Sequence, residues 1–197
     1  MARKFRGSDT QTIDAKGRVS IPASFRRVIE AGDPDWKDGL RASLVIVFGP
    51  KSQNFLKCYT VKGIEAIENR IETMKLGSRD RLSLEKIFHT QSLEVQVLED
   101  GRIVLPAKLR EKLDLKDKAL FVAASDKFLL WNPDAYADED DTVEEWIASK
   151  GPGFDPESAL PEPGAAPAEI DPACAEARQA RFRCRPACSA DRVFWSS

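Results

Sequence analysis

Apolar and polar positions alternate along four short stretches of the chain: "TQTID" and "RVSI" near its start, "LEVQVL" and "RIVL" past its middle. A period of two is that of a half-buried strand. Each pair is separated by "DAKG" or "EDG", a turn built from Asp and Gly. Pro22 or Pro106 comes next, tolerated in a helix's first turn because the missing amide hydrogen has no intrahelical partner there, and "ASFRRVIE" or "AKLREKLD" continues at helical spacing. Two further apolar runs around a polar turn follow in "LVIVFGPKSQNFLKCYTV" and "ALFVAASDKFLLW", each leading into a helical pattern. Ile64, Ile67, Ile71 and Met74 share one face of the first of these helices, and Val143, Trp146 and Ile147 one face of the second. The predicted order is strand, turn, strand, helix, hairpin, helix, written twice.

The second writing is a copy of the first. Placing Gly17 over Gly101, 84 residues on, brings Arg18 over Arg102, Ile21 over Leu105, Pro22 over Pro106, Phe25 over Leu109 and Arg26 over Arg110. Phe55 and Leu56 match Phe128 and Leu129 at an offset of 73, so the first copy holds about eleven more residues, in "AGDPDWKDGLRAS". A hairpin with one helix buries too little to stand alone. Two such units can bury their apolar faces against each other, which predicts an α+β, β-rich fold with two pseudo-symmetric units sharing a compact β-barrel. The expected divisions are residues 1–78, a unit with its following helix; residues 79–150, a second unit preceded by the helix "GSRDRLSLEKIFHTQ", whose Leu82, Leu84, Ile87 and Phe88 are available for packing; and residues 151–197. That last part, rich in Pro, Gly and Ala without periodicity, is expected to be a disordered tail.

Composition narrows the chemistry. Hydrophobic residues at 42% and charged residues at 31% suit a folded globular chain. The net charge of −2 conceals an excess of five positive charges between Met1 and Ile29, where Arg3, Lys4, Arg6, Lys16, Arg18, Arg26 and Arg27 face only Asp9 and Asp14. Such a patch attracts polyanions. No stretch approaches the roughly 20 apolar residues of a membrane span, and no apolar run follows the basic start, so a cytosolic protein without membrane partners is expected. Cys58, Cys174, Cys184 and Cys188 form no CxxC pair and have no histidine near the last three, which predicts free thiols. His89 is the only histidine, and beside Phe88 on a predicted helix it reads as structural or surface. There is no phosphate-binding glycine motif. The acidic run "ADEDDTVEE" lacks the spacing of a calcium loop and reads as a negative helix start. Neither enzyme nor metal nor cofactor is expected.

The basic turn is the better lead. In a hairpin around "DAKGR", Lys16 and Arg18 project near the tip, and a two-stranded ribbon can enter a DNA major groove, where Arg bonds guanine bidentately. Arg18 can equally pair with Asp14 and fix the turn; charge alone leaves both readings open.

"MARKFRGSDTQTIDAKGRVSIPASFRRVI" and the repeat "DGRIVLPAKLREKLDL" resemble the MraZ family, built of tandem SpoVT/AbrB-type units, over roughly residues 1 to 150. The resemblance implies a swapped-hairpin β-barrel, a ring-like homo-oligomer and a transcriptional regulator. That regulator would bind repeated operator elements in double-stranded promoter DNA upstream of the division and cell-wall gene cluster, in association with the nucleoid. The family's DxxxR signature falls on Asp14 and Arg18, making Arg18 the expected DNA contact with Lys16 beside it. In the second copy Arg102 is kept, but Leu98 stands where Asp14 does, with Glu99 and Asp100 displaced toward the turn, so Arg102 is expected to be the weaker contact. Arg3, Lys4, Arg6, Arg26 and Arg27 would add phosphate contacts or pack their stems at the loop base. Asp14, Gly17, Gly101, Pro22 and Pro106 would shape the loops. The alternative function is an antitoxin-like protein-interaction module that uses its C-terminal segment.

Overall fold

A computed structural model describes residues 4–160, apart from the side chains of residues 137–142. Arg3, the tail from residue 161 and Cys174, Cys184 and Cys188 lie outside the described residues. Within the first of two compact units, Met1–Trp146, the duplicated order is realised. The first copy holds β1 (Ser8–Thr12), β2 (Arg18–Ser20), α1 (Ala23–Ala31), β3 (Ser43–Val47), β4 (Phe55–Thr60) and α2 (Val61–Glu72). After α3 (Arg79–Glu85) and a π-type turn at Lys86–Thr90, the second copy holds β5 (Ser92–Gln96), β6 (Arg102–Val104), α4 (Ala107–Lys112), β7 (Lys118–Ala124), β8 (Lys127–Trp131) and α5 (Pro133–Lys150). The other unit, Ile147–Ser197, contributes among the described residues the end of α5 and a 3-10 turn at Pro156–Ala159, whose first turn is capped by Asp155.

The two copies exchange strands. Six strands form one antiparallel sheet in the order β1-β7-β8-β4-β3-β5. β1 of the first copy lies on β7 of the second, and β5 of the second lies on β3 of the first. β2 and β6 leave the sheet and pair with each other as a separate ribbon, tied back to β1 by a single bridge from Ile13 to Val19. The register shows the pseudo-twofold directly: Val19 faces Ile103, its own repeat equivalent, and at the sheet centre Phe55 faces Trp131 as Cys58 faces Phe128.

Alternation decides which side chains enter the core. Leu56 and Cys58 on β4, Phe128 and Leu130 on β8, and Val19 and Ile103 on the ribbon are inaccessible to water. With Phe5, Phe25 and Phe121 they form one apolar cluster, and Phe128 sits at its centre, with ring centroids 5.2 Å from Phe5, 5.3 Å from Phe25 and 5.6 Å from Phe121. Burial pushes the Cys58 thiol well above its ordinary pKa, so it stays protonated and apolar in character. A second, smaller cluster covers the opposite face of β3 and β4, where Val47, Tyr59 and Ile64 meet Ile67, Ile87 and Phe88. Of the residues available for packing, Leu82 instead remains 56% exposed, on a short helix that buries none of its residues.

Pro22 and Pro106 stand one residue ahead of the predicted place. Each is the residue before its helix, in extended backbone (ψ 137° and 147°), with its carbonyl accepting the first helical amides. The proline ring sets φ there without an amide to satisfy.

Candidate nucleic-acid interface

Strand period places the ribbon's chemistry. Val19 and Ile103 point into the core, so Arg18, Ser20, Arg102 and Val104 lie on the ribbon's other, outer face. A recess of about 140 Å³ opens there, lined by Thr12, Ile13, Asp14, Arg18, Ser20 and Arg102. The arginines of both repeats therefore meet on one surface, beside the turns that carry Lys16 and Asp100.

The first turn is organised by Asp14. One carboxylate oxygen accepts the amides of Lys16 and Arg18, both at 2.9 Å, and the other accepts Arg18 Nε at 2.6 Å. The Arg18 amide above all holds the Asp14 carboxyl below its ordinary pKa; partial burial opposes this, and the Arg18 side chain and Lys16 amide reinforce it. Both readings open to Arg18 are thus compatible in one geometry. Nε is bound to Asp14, and the rest of the guanidinium belongs to a side chain that is 37% exposed.

The second turn keeps the backbone and changes the clamp. In the first, Gly17 donates to the Asp14 carbonyl and Asp14 to the Arg18 carbonyl; in the second, Gly101 donates to Leu98 and Leu98 to Arg102 at the corresponding atoms. Gly17 and Gly101 have φ of 78° and 75°, the left-handed region where a side chain is disfavoured. The Leu98 side chain has no acceptor, and Asp100 takes over: its carboxylate accepts the Arg102 amide at 3.2 Å and lies 3.5 Å from Arg102 Nε. The longer distances make this the looser clamp.

The remaining cations are dispersed. Lys4 and Arg6 are exposed at the far end of β1, a strand about 17 Å long at roughly 3.4 Å per residue, so they do not join Lys16 and Arg18. Lys4 instead stands close enough to Asp126 to help lower its pKa; burial acts against that lowering, and Lys127, hydrogen-bonded to Asp126 at 3.0 Å, drives it. Arg27 is exposed on α1. Arg26 turns inward: its guanidinium lies directly beneath Gly101, the turn of the other repeat. Its equivalent Arg110, not singled out from sequence, lies beneath Gly17 in the same way. The 84-residue offset that aligns the two was the available signal. Ser20 and Thr12 were also missed, although period two along β2 places Ser20 beside Arg18.

His89 is half exposed, with Nδ1 3.4 Å from Glu68. Among the described residues no three His, Cys, Asp or Glu side chains gather as a metal site, and no helix is long and apolar enough to cross a membrane.

Fold and site together define a strand-exchanged tandem repeat that presents two arginine-bearing turns from one surface ribbon. The family model described as "MraZ protein, putative antitoxin-like" matches residues 88–147, the second repeat. Relatives cover both repeats: a protein named transcriptional regulator MraZ from Ruegeria pomeroyi is 50% identical over 79% of this chain and 94% of its own length. Proteins of the same name are 46% identical in a Ruegeria species, over 84% of this chain and all of the relative, and 31% identical in Ligilactobacillus salivarius, over 73% and 96%. The chain belongs to the MraZ family.

Proposed function

We propose that the chain is a sequence-specific DNA-binding transcriptional regulator without enzymatic activity. It acts on repeated elements in double-stranded promoter DNA, those of the division and cell-wall gene cluster and its own promoter among them. The observation that carries this reading is the convergence of Arg18 and Arg102 on the outer face of one ribbon. Arg18 and Lys16 form the principal contact, Arg102 the weaker one, and Lys4, Arg6 and Arg27 serve as outlying phosphate contacts. The names of the relatives support the regulatory role.

One ribbon supplies few contacts, so affinity comes from several copies held at fixed spacing over repeated sites. This is the reason to propose a ring-like homo-oligomer acting in the cytoplasm at the nucleoid. The ribbon's position beside the ends of β1 and β5 is consistent with sheet and ribbon wrapping as a swapped-hairpin barrel.

The test is binding of the purified protein to its own upstream promoter DNA, wild type beside Arg18→Ala, against unrelated competitor and across a salt titration. Specific binding that weakens steeply with salt and is weakened in the variant is expected; affinity indifferent to both salt and sequence refutes the proposal. A second reading, a protein-interaction module, is favoured by the antitoxin-like description matched to residues 88–147. A stoichiometric partner co-purifying with the chain, with no preference for promoter DNA, would replace the first reading by this one.

A further inference from the structure

Gly17 and Gly101 are buried although each sits in a surface turn. What covers each is the opposite repeat. A Cβ on Gly17 would lie 2.9 Å from Arg110 Nε and 2.7 Å from the Leu105 carbonyl oxygen, and one on Gly101 would run into the Arg26 guanidinium. The backbone makes the same exchange: Leu105 N–H donates to the Gly17 carbonyl at 2.8 Å, and Ile21 N–H to the Gly101 carbonyl at 3.0 Å. Arg110 is itself held, with Nε donating to Leu105 O at 3.2 Å, so its fork is anchored to the segment that bonds Gly17. Arg26 Nε is buried without a hydrogen-bond partner, beneath Gly101 and so out of reach of a phosphate.

We propose that Arg110 and Arg26 are crossed positioning residues: Arg110, from the second repeat, fixes the first repeat's Lys16–Arg18 turn, and Arg26, from the first, fixes the turn of Arg102. Each contact turn is thereby shaped by the repeat that does not contain it, and neither arginine touches the nucleic acid. The inference rests on the DNA-binding reading for its functional consequence, but its geometry stands apart from it.

Double-mutant cycles on the full chain, with its own upstream promoter duplex as probe, test the crossing. Arg110→Ala should weaken binding about tenfold, the effect of losing one charged hydrogen-bonding group, without changing the slope of log affinity against log salt. A direct phosphate contact would instead reduce that slope by about 0.9. Its effect should largely vanish in an Arg18→Ala background and persist in Arg102→Ala, and Arg26→Ala should show the reverse pattern. A reduced salt slope, or coupling of Arg110 to Arg102 in place of Arg18, overturns the assignment. If Arg110→Ala does not fold, Arg110→Met keeps the stem, removes the fork and carries the same test. Amide hydrogen exchange separates this proposal from the DNA reading. Whether or not wild type binds DNA, Arg110→Ala should speed exchange at Lys16 and Arg18 and leave Arg102 unchanged; unaltered exchange at the first turn refutes the clamp.

Discussion

Replacing Gly17 by alanine separates two costs that a single substitution usually mixes. The turn requires φ of 78° at this position, which costs an L-residue roughly 1–2 kcal/mol. The added methyl would also sit 2.7 Å from the Leu105 carbonyl oxygen, a backbone atom that cannot swing aside. Relief requires the first turn to part from β6, which lengthens the 2.8 Å bond from Leu105 N–H to the Gly17 carbonyl; losing a buried hydrogen bond costs about 1–3 kcal/mol. The expected destabilisation is about 2–5 kcal/mol. Gly7 provides the internal control, since its φ is 84° but nothing lies within 4 Å of a Cβ there, and Gly7→Ala should show the torsional cost alone, roughly 1–2 kcal/mol. Urea unfolding followed by far-UV circular dichroism, at one protein concentration for all variants, measures both. Equal losses for the two substitutions would refute the close approach of the two repeats at Gly17.

Phe128→Ala should cost about 3–5 kcal/mol, the range for emptying a buried aromatic site, and a loss under about 1 kcal/mol in the same unfolding assay would contradict its central place among the rings. Ile21→Asp puts a charge at a position only 2% exposed and should leave no cooperative unfolding transition at neutral pH. Asp14 has a folded pKa below its ordinary value of 3.8, so its contribution is fully present above that value and disappears as pH falls through the lowered one. The Lys16 and Arg18 amide resonances should shift together in that acid window, and Asp14→Asn should abolish the shift. Arg18→Ala should weaken promoter binding more than Arg102→Ala and leave the proposed oligomer intact by light scattering; its dissociation on this substitution would reassign Arg18 to a structural ion pair.

Much of this architecture could be read from the order of residues, and the failures have identifiable causes. The offset between Gly17 and Gly101 located both turns, and alternation along "RVSI" marked a half-buried strand. Alternation carries no information about partners, however, so nothing in "TQTID" says that β1 will lie on β7 of the other copy. The summed charge of residues 1–29 suggested one basic patch, whereas Lys4 and Arg6 lie before the far end of β1, a strand's length from Lys16. Arg26 is expected from sequence to contact phosphate or pack its stem at the loop base, and Arg110 carries no signal beyond its alignment with Arg26. Only the crossing of the repeats brings each beneath a glycine whose lack of a side chain makes room for it. Leu98 in place of Asp14 pointed to an altered second turn, and the structure confines the change to the side-chain clamp, because Asp100 takes over from the far side.

The exchange of strands also sets a timetable. β1 leaves the ribosome well before β7, yet Ser8 pairs with Val122 and Thr12 with Lys118, so its hydrogen-bonding edge has no native partner until more than a hundred further residues have been made. Pairings this distant in sequence form late and slowly, and an unpaired strand edge is open to other nascent chains in the meantime. β1 is polar on both faces, Ser-Asp-Thr-Gln-Thr, a composition that offers other nascent strands no apolar surface to pack on while its own partner is still unmade.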